Sequence, residues 1–113
     1  MSTRREVKFW LAQRVTAAIL AVCVTVHLVT IVYAVRNGLS AGEILARTRG
    51  SLAWGTFYSV FVFSAAIHGA IGLRNVAGEW LRWRGDTAEV AVTVLGVVLT
   101  ILGLRAVIAV GGT

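Results

Sequence analysis

Three apolar runs, at residues 15–35, 52–73 and 90–110, dominate the chain, and polar residues gather between them. The first two carry no formal charge and the third carries only Arg105. Each run is long enough to cross a bilayer, which takes about 20 mostly apolar residues. Only helices and closed barrels satisfy every backbone group inside hydrocarbon, and the ten-residue alternation of barrel strands is missing from these runs. The pattern therefore predicts an all-α membrane protein. It is a single domain over residues 1–113, with three transmembrane helices near 9–36, 52–82 and 87–110.

The connectors have their own signals. Ser40 and Glu43 have the S-x-x-E spacing of a capping box, and Gly50 suits a stop after Arg49, so a short interfacial helix is expected on the outer face. Trp80 and Trp83, set among charges, place the second connector in the headgroup layer. The second span is expected to run into that layer until Gly85 and Asp86 turn the chain. Trp10 and Trp54 lie near the remaining boundaries, as interface anchors do.

Composition agrees with the pattern: 58% of residues are hydrophobic, mean hydropathy is +0.81, and 14% are charged, against about 25% in soluble domains. The segments outside the spans are too short for a catalytic domain, which needs about 50 residues or more to bury a core. Chemistry must then occur within the membrane or on partner subunits. The net charge of +6 flanks the spans instead of forming a basic face on a soluble element, which argues against nucleic acid. Arg4, Arg5, Lys8, Arg14, Arg74, Arg82 and Arg84 fall on one side and Arg36, Arg47 and Arg49 on the other, so the N-terminus is expected in the cytoplasm of a cell (inner) membrane protein. The first span exceeds a signal-peptide core and lacks a clear cleavage site, so it is read as retained. Cys23, the single cysteine, lies within that span and excludes an intramolecular disulfide.

His27 and His68, the two histidines of the chain, both fall inside spans. Ionisable residues there are costly and usually face a protein interior or a cofactor; the alternative is a hydrogen bond that joins two helices. Imidazole is a standard axial ligand of haem, and haem sites in helix bundles use residues from facing helices. Ser64, Ala65, Gly69 and Gly72 share a face with His68 and offer a shallow groove, or a close helix contact. Rise per residue places His27 about 20 Å beyond Arg14 and His68 about 9 Å before Arg74. With both arginines at the cytoplasmic interface, the imidazoles differ in depth by roughly 11 Å, whereas two axial nitrogens on one iron lie about 4 Å apart. Each histidine is therefore expected to be half of a separate site completed by another chain.

His68-Gly-Ala-Ile-Gly72-Leu73-Arg74, followed by Glu79-Trp80, resembles the second transmembrane helix of the membrane-anchor cytochrome b subunits of succinate dehydrogenase and fumarate reductase. Gln13-Arg14-Val15-Thr16-Ala17 is similar to the motif that opens their first helix. The resemblance implies a flavoprotein and an iron–sulfur subunit docked on the cytoplasmic side, a second anchor subunit or second copy of the chain, and electron transfer to or from a quinone. It implies haem b, here two, shared with the partner chain. His68 would ligate the inner haem and His27 the outer, as in two-haem members. Arg14 and Arg74 would contact propionates or quinone, and Trp10, Gln13, Thr16, Glu79 and Trp80 would line the quinone site. Trp10 and Trp80 depart from the family's serine and tyrosine, and an indole N–H can donate but cannot act as an acid. Two alternatives stand beside this expectation: a haem-free anchor of the same kind of complex, and the cytochrome b subunit of another respiratory dehydrogenase.

Overall fold

A computed structural model describes residues 3–111 as four helices: α1 (Thr3–Arg36), α2 (Ala41–Thr48), α3 (Leu52–Trp80) and α4 (Asp86–Gly111). α1, α3 and α4 are each long and apolar enough to span a membrane, and α2 is the short connector helix. α1 starts at Thr3, several residues before the expected boundary, because its polar first turns remain helical. α3 lies between α1 and α4 and packs against both. Large apolar side chains such as Val22, Val29, Val94 and Ile108 stay uncovered, as they do where the surrounding medium is hydrocarbon.

α1 meets α3 along a narrow stripe. Phe9, Gln13, Thr16, Leu20, Cys23, His27, Thr30 and Ala34, all less exposed, follow one another at alternating steps of four and three, with Ala12 and Ile19 beside them. That is the 3.5-residue spacing that keeps one seam against a neighbouring helix. Thr16 and His27 therefore face the same partner helix.

α3 and α4 approach through small residues. The methyl of Ala70 lies 3.4 Å from where a Cβ on Gly96 would stand, and Gly69 faces Leu99. At Gly103 the Val62 side chain already fills the space that a Cβ would need. Small residues bring backbones together where no hydrophobic driving force separates helix from lipid.

The turns follow local chemistry. Gly38 (φ 61°) ends α1 in the left-handed region, with Leu39 N–H donating to the Ala34 carbonyl. Ser40 accepts from Glu43 N–H and Glu43 reaches back to Ser40, the expected capping box. α2 then closes the end of α4: the Thr48 hydroxyl donates to the Val110 carbonyl at 2.9 Å and Gly50 N–H to the Gly111 carbonyl at 2.9 Å. These are carbonyls that a helix C-terminus leaves without intrahelical partners. At the opposite end Arg82 (φ 53°) and Gly85 (φ 92°) reverse the chain between α3 and α4.

Replacing Gly103 with Ala should lower the stability of the folded chain by about 1–3 kcal/mol, an overpacking cost. Gly96→Ala, which meets only a methyl, should cost less. Thermal unfolding in detergent checks this, and Val62→Ala added to Gly103→Ala should recover most of the loss.

Candidate functional site

The His68 ring sits on the α1-facing side of α3, where its Nδ1 lies 3.3 Å from the Thr16 hydroxyl oxygen. Thr16 is 7% exposed, and its hydroxyl also lies 2.7 Å from the Ala12 carbonyl and 3.1 Å from that of Gln13. A hydroxyl has one proton and two lone pairs, and a carbonyl can only accept. With that proton on the Ala12 carbonyl, the shorter contact, the oxygen accepts from His68 Nδ1–H. Nε2 is then the nitrogen with the lone pair. One turn along α3, the Gln13 amide nitrogen lies 3.4 Å from where a Cβ on Gly72 would stand, so Gly72 makes room for Gln13. Gln13 Oε1 is buried and makes no hydrogen bond.

The small residues around His68 divide between neighbours. Gly69 turns to Leu99 on α4 and Gly72 to Gln13 on α1, so these two glycines serve close helix packing.

His27 lies eleven residues beyond Thr16 on the same face of α1, about 16 Å along the axis. Its ring meets Tyr58 edge-on at 5.9 Å and Phe61 at 5.6 Å, so it is directed at the half of α3 that precedes His68. Two clefts share this ring. One, of about 390 Å³, runs between Phe61, Ala65, Gly103 and Val107. The other, of about 320 Å³, lies under α2 beside Ile44, Arg47 and Trp54. His27 Nδ1 is buried without a hydrogen-bond partner. The two imidazoles thus occupy different levels of one α1–α3 seam.

The arginines differ sharply. Arg74, its side chain 13% exposed, lies against Glu89 (Nε to Oε1, 2.9 Å) and Glu6 (3.7 Å), with its guanidinium 4.6 Å from the centre of the Phe9 ring. Arg5 joins the same cluster through Glu89 at 3.3 Å. The cluster binds the first turns of α1 and α4 to the last part of α3. Arg14 is exposed and rests over the Trp10 ring at 5.5 Å. Glu6 and Glu89 were not among the residues singled out from the sequence. Their only prior signal is their place in the first turns of α1 and α4.

Among the described residues, the expected quinone positions do not converge on one pocket. Gln13 and Thr16 face α3, while Trp10 and Trp80 are 61% and 79% exposed and Glu79 is also exposed. The cleft at this end, about 340 Å³, includes Glu79 and Arg74 together with Asn75, Trp83 and Arg84, but not Trp10, Gln13 or Thr16.

The sequence profile of the family described as "Succinate dehydrogenase/Fumarate reductase transmembrane subunit" matches residues 1–108. The chain belongs to this family. It is a membrane anchor subunit of succinate dehydrogenase/fumarate reductase, a multi-pass membrane protein whose family associates with the flavoprotein and iron–sulfur subunits. No curated protein and no solved structure matches it.

Haem b is the prosthetic group associated with many such anchor subunits. The His68 imidazole, with one ring nitrogen against Thr16, fits one axial position of such a group. An imidazole that ligates a metal donates its other ring N–H to an oxygen acceptor, which fixes the tautomer and the ring orientation; Thr16 provides that oxygen. His27 lacks such a partner at its buried Nδ1, and Tyr58 and Phe61 fill the α3 side of its ring.

Arg74→Ala in the anchor subunit should lower the thermal stability of the detergent-solubilised complex by about 1–3 kcal/mol, because two carboxylates lose their shared cation. Arg74→Ala and Glu89→Ala combined should cost less than the sum of the single changes, measured by thermal scans of the four forms.

Proposed function

We propose that this anchor subunit carries haem b on His68 and passes electrons between the iron–sulfur subunit and a membrane quinone. The observation that carries the reading is the Nδ1···Oγ1 contact of 3.3 Å between His68 and Thr16. It leaves Nε2 as a ligand at a helix seam inside the membrane. Bound haem b supplies a one-electron carrier. The chain's own residues hold the ring, exclude water with lipid-facing apolar walls, and anchor the cytoplasmic ends of the helices through Arg74, Glu6 and Glu89.

The whole chain, 1–113, acts as one anchor domain, with its N-terminus in the cytoplasm on the side where the two soluble subunits dock. The excess of Lys and Arg on that side supports the orientation. His27 would serve a second, outer haem, completed like the first by a partner anchor or a second copy of the chain. Its support is separation: about 16 Å of helix between the levels of the two rings, against about 4 Å between axial nitrogens on one iron. Arg14 is the cation better placed for a propionate or quinone in a partner's interface, since it is exposed and faces away from the seam. Its neighbour Trp10 could contribute an indole donor there. A haem-free anchor of the same complex is the competing reading.

The test is reduced-minus-oxidised spectroscopy with a haem-to-protein ratio on the complex purified with its soluble subunits. Two haems per anchor pair are expected. His68→Ala should remove the inner haem, and His27→Ala should remove the outer one alone. A wild-type complex without haem absorption leaves the haem-free anchor. Loss of all haem from an assembled His27→Ala complex overturns the two-site arrangement.

A further inference from the structure

We propose that Thr16 is a positioning residue for His68, fixing its Nδ1–H tautomer and tuning the iron that Nε2 would hold; the inference rests on the haem reading above.

Four other threonines within the apolar runs provide the comparison. Thr25, Thr30, Thr93 and Thr100 each donate to a carbonyl three or four residues back and do nothing further with the hydroxyl. That is ordinary behaviour for threonine in a membrane helix. Thr16 does the same toward Ala12 but is buried at the α1–α3 seam, and its oxygen also reaches an imidazole 52 positions away in the chain. The donation to Ala12 is what gives the second contact its direction. Once the hydroxyl proton lies on a carbonyl 2.7 Å away, only lone pairs remain to face His68. The opposite arrangement, with the hydroxyl donating to Nδ1, would place the ring proton on Nε2 and remove the ligand.

His27 is an internal contrast. It occupies the same stripe of α1, its ring is also half-buried, and its Nδ1 has no partner. The hydrogen bond at Thr16 is therefore a feature of one histidine and not of imidazoles in this bundle generally. An acceptor on Nδ1–H raises the basicity of the ligating nitrogen. A more basic ligand favours the ferric over the ferrous state, so Thr16 should hold the inner haem at a lower potential than it would otherwise have.

Redox potentiometry of the purified complex, wild type against Thr16→Val and Thr16→Ser, tests the assignment. Valine keeps the shape of threonine without the hydroxyl, and serine keeps the hydroxyl. Assembly is followed by co-purification of the iron–sulfur subunit, and Thr16→Ala is measured in the same way if the valine form fails to assemble. In the hydroxyl-free form the inner-haem midpoint should rise, changing the oxidised-to-reduced ratio at fixed potential about two- to tenfold, the worth of one net hydrogen bond. Thr16→Ser should stay near wild type. Loss of the inner haem from the hydroxyl-free form alone, with serine retaining it, supports the same role. An unchanged potential in Thr16→Val, or equal shifts or equal haem loss in the valine and serine forms, overturns the positioning role while leaving the haem reading intact. A wild-type complex that holds no haem overturns the haem reading itself.

Discussion

Hydrocarbon offers a polar group no partner, and that constraint organises this anchor. Every hydroxyl, carbonyl and ring nitrogen at membrane depth must be satisfied by the chain itself or by something that binds it. Thr25, Thr93 and Thr100 turn back on their own helices, Thr48 and Gly50 close the end of α4, and the Thr16 hydroxyl meets the His68 ring. Against this background two buried atoms stand out because they are not satisfied: Gln13 Oε1 and His27 Nδ1. Both lie on the stripe of α1 that faces α3, so the seam between these helices holds both the most complete and the least complete polar contacts among the described residues.

The bundle is held differently at its two ends. Toward the first turns of α1 and α4 the joint is ionic, with Arg74 between Glu6 and Glu89 and the Phe9 ring beneath the guanidinium. Toward the other end it is made of backbone and aromatic contacts, with α2 on the last carbonyls of α4 and Trp54, Phe57, Tyr58 and Phe61 clustered along α3. Charges suit the first end because it borders water. Neutral hydrogen bonds suit the second because the α4 terminus tucks under α2. α3, which both joints share, is the element that fixes where each histidine stands.

Much of the architecture was legible in the sequence. Run length and the lack of charge located three spans, the S-x-x-E spacing located α2 and its cap, and the motifs around His68 and Arg14 pointed to the family. The early start of α1 was not legible, since the polar residues before Lys8 have no apolar period to mark them as helical. The rotation of each helix was not legible either. A span that is apolar all round presents no favoured face, so nothing in the letters said that Thr16 would meet His68 or that Gly69 and Gly72 would turn to different helices. Arg74 is expected from the sequence to contact a propionate or quinone, and within the chain it lies against Glu6 and Glu89. That pairing joins residues from three helices and exists only once their order in space is known.

The notch at Gly103 and the knob at Val62 carry a consequence for heredity. A bulkier residue in the notch collides with the knob, and a smaller knob facing the unaltered notch leaves a void between backbones. Neither position can drift far without the other, so descendants of this sequence should inherit the two as a single unit and exchange them together or not at all.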